Sequence, residues 1–153
     1  GSDVPIAPIH RLFNRNVADL RRSLSSRFQI ESASGRDSRE LQLYSAAGFE
    51  NLTPNSEAIS ETQRVWPPSV ASADAALFET IIRDLVTDIA FQQGDDLCTS
   101  AVDSHQFDAA LLLRPPTLAD VRAAASEMAR FPQKTTFFTP KPRTGFVFRS
   151  LYQ

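Results

Sequence analysis

Residues 77–91, LFETIIRDLVTDIAF, carry the strongest helical pattern of the chain and decide the expected fold. One face, at spacings of three and four residues, is formed by Phe78, Ile81, Ile82, Leu85, Val86 and Ile89. A face this wide is typical of a helix that is buried on more than one side. We therefore expect a central helix that begins near Ser72 and ends at Gly94.

Helical spacing continues on the C-terminal side of this stretch. The apolar positions of residues 98–113 keep it, with His105 in the same stripe, until Pro115 and Pro116 stop the element. Thr117 and Asp120 then form a capping-box pattern, which predicts a last helix that runs to about Phe131.

The chain ends in TTFFTPKPRTGFVFRSLYQ, residues 135–153, which hold five aromatic side chains. TTFF and GFVFRSLY favour β-structure, so we expect a hairpin or an extended aromatic segment. Adjacent residues of a strand face opposite sides, so only one of Phe137 and Phe138 can lie inside. We expect most of this tail to close the chain's own core, while Phe137 or Tyr152 faces outward.

Three further helices are predicted on the N-terminal side. The first is capped by Asn14 or Asn16 and places Val17, Leu20, Leu24 and Phe28 on one stripe. The second begins at Asp37 or Ser38 and ends at Gly48, and a short third one is capped by Asn55 or Ser56. Residues 1–13 read as an extended arm, in which Gly1 and Ser2 resemble the remnant of an expression tag.

The sequence thus predicts a mainly α fold. We expect a helical bundle of four to six helices with a C-terminal β-hairpin or extended aromatic segment, in one helical domain over residues 14–153. The length of 153 residues suits one compact domain with a sizeable core.

The charge is unevenly distributed along the chain. The net charge of −2 is the sum of +2 over residues 1–40, −8 over residues 41–114 and +4 over residues 115–153. Such segments either form solvated faces that pair within the fold or form complementary surfaces on which copies stack head to tail.

Compartment and membrane contact follow from composition. Cys98 is the single cysteine, which excludes an internal disulfide framework and suits a reducing compartment. No stretch approaches 18 uncharged apolar residues, and the N-terminus lacks a signal pattern. We expect a soluble protein, cytoplasmic or part of a virion, without a membrane partner.

Groups for catalysis are few. His10 is expected to be an exposed spectator in the arm, and His105 a buried or half-buried structural residue. On a helix, Cys98 and His105 lie about 10 Å apart along the axis, too far to share a proton. One Cys and one His also make a poor metal site, and no phosphate-binding glycine motif is present. We predict no catalytic residues, no metal and no cofactor, and therefore not an enzyme.

Two cationic patches leave nucleic-acid binding open. Arg21 and Arg22 lie with Arg15 and Arg27 on one face of the first helix, and the tail places Lys134, Lys141, Arg143 and Arg149 among phenylalanines. The alternative interpretation is a solvated helical face and a core-closing hairpin.

The order of several fragments resembles a known family. These fragments are VADLRRSLSSRFQ (17–29), SGRDSRELQLYSAA (34–47), RVWPP (64–68), LFETIIRDLVTDIAF (77–91), TLADVRAAASEMARF (117–131) and GFVFRS (145–150). Together they resemble, over most of residues 12–150, the coat proteins of rod-shaped plant viruses of the tobamovirus type. That family consists of helical bundles that stack around single-stranded RNA.

The resemblance implies specific roles for a few residues. Arg114, Asp120 and Arg122 stand where the family's fourth helix meets RNA, while the inner loop, here QQGDD at residues 92–96, lacks the family's arginines. Asp95 and Asp96 would correspond to the carboxylates that switch disassembly.

Two functional hypotheses follow. The first is a non-catalytic structural protein that self-assembles, most concretely a helical virus coat subunit, with RNA contacts at Arg21, Arg22, Arg114, Asp120 and Arg122. Its assembly contacts would be Asp95, Asp96, Phe137, Arg143, Arg149 and Tyr152. The alternative is a protein-interaction domain, an adaptor or effector, that docks a partner through its arm or its basic-aromatic tail.

Overall fold

The computed structural model describes residues 7–119 and 121–122. It has a mixed α/β fold, so the prediction of a mainly α helical bundle is wrong. The strands are β1 Ile9–Asn14, β2 Phe28–Ala33, β3 Gln42–Ser45, β4 Gly48–Pro54, β5 Thr87–Gln93 and β6 Ala109–Leu112. The helices are α1 Val17–Leu24, α2 Ser56–Val65, α3 Pro68–Ala71, α4 Asp74–Leu77 and α5 Asp95–Asp103.

The strands form one sheet in the order β2-β4-β3-β6-β1-β5, and each neighbouring pair is antiparallel. The sheet therefore consists of a β3–β4 hairpin with β2 paired to the outer side of β4, and a β1–β5 pair. β6 joins the two parts by pairing with β3 on one side and β1 on the other. β1 belongs partly to the predicted N-terminal arm, yet it lies inside the sheet.

Helices cover both faces of the sheet. Phe13 points to the face where α1, α2 and α4 pack, whereas its neighbour Leu12 points to the face covered by α5. The same alternation places Leu111 and Leu112 of β6 in opposite cores, and both are fully buried. A strand covered on both sides needs apolar residues at consecutive positions, which β6 supplies.

The quoted stretch of residues 77–91 is not one helix. α4 passes into a π-helical turn at Phe78–Ile82 and a 3₁₀ turn at Arg83–Leu85, after which the chain enters β5. Phe78 and Ile82 are buried as predicted, but Ile89 reaches the same core from a strand. The π-helical turn and β5 thus contribute to the same core. This explains why the apolar residues of 77–91 have the spacing of one continuous helix.

The predictions of the shorter helices had mixed outcomes. α1 is confirmed with Asn16 as its cap, but it ends at Leu24, and Phe28, which was predicted on the same helical stripe, begins β2. α2 is confirmed with Asn55 as its cap. The helix predicted to end at Gly48 is wrong, because that segment is the β3–β4 hairpin and Gly48 has a φ of +97° in its turn.

The element predicted over residues 98–113 is helical only in its first part, as α5, and then forms β6. Residues 118, 119, 121 and 122 are helical, and the Val121 N–H donates to the Thr117 carbonyl as the predicted last helix requires. The remainder of that helix and the tail hairpin lie outside the described residues. Within the described ranges, no helix combines the length and apolar character needed to cross a membrane.

Candidate functional site

An open groove lies on the α2 side of the sheet, with a volume of about 640 Å³. That volume falls within the range of ordinary ligand pockets. Apolar surface dominates its lining, and the main contributors are Pro54, Ile59, Trp66, Pro68, Ala71 and Leu77. Gln63, Ser72 and Arg114 add polar groups at its margin.

The local sequence places Trp66 in this groove. α2 ends at Val65, and Trp66 has an extended backbone, with φ −119° and ψ 149°, because Pro67 follows it. Pro68 then opens α3, where its fixed φ suits the first turn. The Trp66 indole N–H donates to the Thr80 hydroxyl at 3.0 Å. The indole is thus held in one orientation, with a face available to the groove.

Ile59, on α2 and seven residues before Trp66, also lines the groove. Its side chain is 43% exposed, which is unusual for an isoleucine beside a core. Ala58, its neighbour, faces the core and is fully buried. The helix therefore uses one face for the fold and turns an apolar residue toward the groove.

Arg114 closes one side of the groove and marks where the chain leaves β6. Its guanidinium contacts the Asp74 carboxylate at 2.6 and 3.1 Å, and its backbone N–H donates to the same carboxylate at 2.8 Å. Only 1% of the Asp74 side chain is exposed. The hydrogen bond to Asp74 raises the pKa of Arg114. The exit of the chain is thereby fixed to the N-terminus of α4.

Three of the residues predicted to bind nucleic acid have carboxylate partners in the structure. Arg21 pairs with Glu50 at 2.8 Å, Arg22 pairs with Asp19, and Arg114 pairs with Asp74. Arg122 is exposed. Asp120 lies outside the described residues, as do Phe137, Arg143, Arg149 and Tyr152.

The predicted carboxylates Asp95 and Asp96 begin α5, on the other face of the sheet. Asp96 is exposed. The Asp95 carboxylate accepts a hydrogen bond from His10 Nε2 at 2.8 Å and lies 3.4 Å from Arg36 Nε. The two carboxylates therefore have different surroundings, and Asp95, 40% exposed, belongs to a partly buried polar cluster with His10 and Arg36.

His10 is the centre of that cluster, and the expectation that it is an exposed spectator is wrong. Its side chain is 1% exposed, and its Nδ1 accepts the Leu113 N–H at 3.0 Å. Nε2 therefore carries the proton and donates a hydrogen bond to the Asp95 carboxylate. Burial lowers the pKa of His10 to about 4, against the opposing effect of Asp95, while Arg36 lowers it further. Near neutral pH the imidazole is uncharged and both its nitrogens are occupied.

The other groups considered for catalysis are separated. His105 is exposed, in a turn after α5 with a φ of +65°, and not half-buried as expected. Cys98 is fully buried, and its thiol donates to the Gln92 carbonyl at 3.7 Å. Burial, with a smaller effect of Asp95, raises the pKa of this thiol to about 12. In the part of the chain that the structure describes, no three His, Cys, Asp or Glu side chains cluster as metal ligands would.

Sequence reasoning missed the groove and the fully buried Arg11. The Arg11 guanidinium lies between the rings of Phe78 and Phe91, at 5.2 and 4.9 Å from their centroids, and burial lowers its pKa to about 10. RVWPP is one of the fragments of the resemblance, but only the fold shows that its Trp66 and Pro68 line one groove with Ile59 and Arg114.

No protein-family model, curated protein or solved structure matches this chain.

Proposed function

We propose that this chain is a non-catalytic protein-interaction domain that binds an extended aromatic segment of polypeptide in the groove between Ile59 and Trp66. The observation that carries this proposal is the apolar groove of about 640 Å³ with a tryptophan on one wall. Tryptophan is among the residues that contribute most to binding at protein interfaces.

The groove is preorganised for such a segment. Trp66 is held by Thr80, and Arg114 is held by Asp74, so neither side chain has to be ordered when a ligand binds. Ordering a flexible side chain costs about 0.5–1.5 kcal/mol, and this cost is avoided at both positions. Prolines at positions 54, 67 and 68 stiffen the backbone around the groove as well.

The burial and hydrogen bonding of His10 and Cys98 support a non-catalytic role. His10 uses both nitrogens within the fold, and Cys98 has a high thiol pKa and no access to solvent. A nucleophile or general base needs the opposite properties, namely exposure to substrate and a pKa near the working pH.

Self-assembly is the second candidate, and the distribution of charge favours it. Residues 7–119 with 121–122 hold eleven arginines and fifteen acidic residues, whereas residues 123–153 hold five cations and one acid. Opposite charges on two parts of one chain favour association between copies. RNA packaging has less support, because Arg21, Arg22 and Arg114 are each ion-paired.

Selection from a displayed random-peptide library tests the proposed function. The protein is immobilised with Phe137, Phe138, Phe146 and Phe148 replaced by serine, so that its own aromatic tail does not capture peptides. We expect enrichment of aromatic peptides, whose binding changes Trp66 fluorescence. Trp66 is the single tryptophan of the chain, so the signal reports the groove directly.

Ile59→Asp and Leu97→Asp are the matched variants for this experiment. Both replace an exposed aliphatic residue of a helix, 43% and 59% exposed, and Leu97 lies on α5 on the opposite face of the sheet. Ile59→Asp is expected to abolish binding of the selected peptides, and Leu97→Asp to leave it unchanged. No enrichment, or equal loss in both variants, would contradict the proposal.

A further inference from the structure

The last described strand, β6, is followed directly by a residue of the groove. Arg114 lines the groove and is anchored to Asp74, and residues 118, 119, 121 and 122 after it are helical. A further 31 residues follow, and they include the aromatic segment 135–153. The apolar groove and the chain's own aromatic segment are therefore joined by a tether, residues 115–134.

We propose that the resident occupant of the groove is the chain's own segment 135–153, bound within the same molecule. This inference rests on the proposed function, because it assumes that the groove binds an aromatic segment. It adds a regulatory step, since an outside protein must displace the tail before it can bind.

The tether is long enough for this return. Phe137 follows Arg114 by 23 residues, of which residues 118, 119, 121 and 122 are helical. A helix covers about 1.5 Å per residue and an extended chain about 3.3 Å per residue. The entropy of closing such a loop grows only slowly with its length. A tethered segment also has an effective concentration of the order of millimolar, which exceeds the concentration of other copies in a dilute solution. Binding within one molecule is therefore favoured over exchange between molecules.

The chemistry of the two parts is complementary. The segment offers Phe137, Phe138, Phe146, Phe148 and Tyr152 to an apolar groove. The described residues carry a net charge of −4, and residues 123–153 carry +4. Apolar contacts and long-range attraction thus act in the same direction.

Trp66 fluorescence in the full-length protein tests the inference. The natural chain is compared with the variant that has the four tail phenylalanines replaced by serine. We expect Trp66 to emit at longer wavelength and to be quenched more by acrylamide in the serine variant. A control with Thr135, Thr136, Thr139 and Thr144 replaced by serine keeps all aromatic residues and should match the natural chain.

A synthetic peptide of residues 135–153 provides the second readout. If the tail occupies the groove about nine-tenths of the time, the groove binds an outside ligand about tenfold more weakly. We therefore expect the peptide to bind the serine variant at least about tenfold more tightly than the natural chain. Equal Trp66 quenching and equal peptide affinity in the two proteins would overturn the inference.

Further variants separate the two proposals. If the serine variant fails to fold, Ile59→Asp and Leu97→Asp are compared in the otherwise natural chain. Ile59→Asp should expose Trp66 to acrylamide, whereas Leu97→Asp should not. Equal quenching in these two variants would overturn the inference.

The library peptides distinguish the inference from the proposed function. If they bind the natural chain and the serine variant equally and need Ile59, the proposed function stands and the tail is not the occupant. If the protection of Trp66 from acrylamide and the sedimentation coefficient both fall on dilution, a second copy supplies the tail. This result also overturns binding within one molecule.

Discussion

At the level of single residues, His10 has the environment with the clearest energetic consequence. It lies on β1 between the Leu113 N–H and the Asp95 carboxylate, with Arg36 and Arg11 as further charges nearby. Protonation of Nδ1 would break the bond from Leu113 and place a charge in a buried site. The neutral form is therefore the one that the fold holds.

Stability should consequently fall as the pH is lowered. The pKa of His10 is about 4 in the folded chain against 6.5 for the ordinary value, so the unfolded chain binds the proton first. The contribution is fully present above pH 6.5 and is lost as the pH falls toward 4. Between pH 7 and pH 5 we expect a loss of about 2 kcal/mol in the free energy of unfolding from this group. Urea denaturation at the two pH values measures it.

His105 supplies the control, because it is exposed and lies outside the core. His10→Gln should remove about 2 kcal/mol of the pH dependence, whereas His105→Gln should keep it. A His10→Gln protein with the same pH dependence as the natural chain would show that His10 titrates normally in the folded state.

The sequence could not reveal these environments. Two prolines near His10 favoured an exposed arm, and nothing local shows that Leu113 pairs with it from 103 residues away. The positive charges of Arg21 and Arg22 were visible, but their partners Glu50 and Asp19 were not assigned. A side chain's type is local information, while its burial and its partner depend on the fold.

At the level of elements, local signals were predicted correctly and non-local ones were not. The caps Asn16 and Asn55 bond to backbone N–H groups three residues ahead, so a short window of sequence contains the whole interaction. β6 is different, because it is covered by helices on both faces and its apolar run has no alternation. Such a run fits a buried strand and a buried helix equally well.

The β3–β4 hairpin shows the same ambiguity at Gly48. Glycine after an apolar run is typical of a helix end, but here it adopts a φ of +97° in a hairpin turn. The same conformational freedom serves both structures. The glycine indicated that the chain changes direction here. Strand pairing determines that it does so in a hairpin and not at the end of a helix.

Replacing Gly48 by alanine should therefore destabilise the fold. A left-handed backbone costs a residue with a Cβ about 1–2 kcal/mol, and no other atom lies within 4 Å of that Cβ to add a clash. Chemical denaturation should show this loss. Gly35→Ala is the matched control, since its added Cβ also meets nothing within 4 Å and its φ is outside the left-handed region. Equal effects at both positions would contradict the backbone explanation.

At the level of the whole molecule, the groove exists only because distant segments meet. Ile59 and Trp66 come from α2 and its end, Leu77 from α4, and Arg114 from the exit of β6. In the sequence, RVWPP and the aromatic tail are separate fragments. The fold brings Arg114, which precedes that tail by 21 residues, to the same groove as Trp66, and this arrangement supports the two proposals.

The order of the strands in the sheet also predicts which part of the molecule unfolds last. β6 pairs with β3 and β1 and joins the two halves of the sheet, although it is the last described strand in the sequence. β2, at one end of the strand order, pairs with β4, and its Gln29, Glu31 and Ser32 are exposed. Central elements usually exchange their amide hydrogens only by global unfolding, whereas edges open locally at lower cost.

Hydrogen–deuterium exchange should therefore divide the sheet. Peptides that cover residues 109–113 are expected to exchange at a rate set by the free energy of global unfolding, and those that cover residues 28–33 to exchange sooner. Adding denaturant should raise the exchange rate in 109–113 in proportion to the global stability and change the rate in 28–33 less. Equal protection of the two peptides, or earlier exchange in 109–113, would mean that β6 does not hold the two halves together.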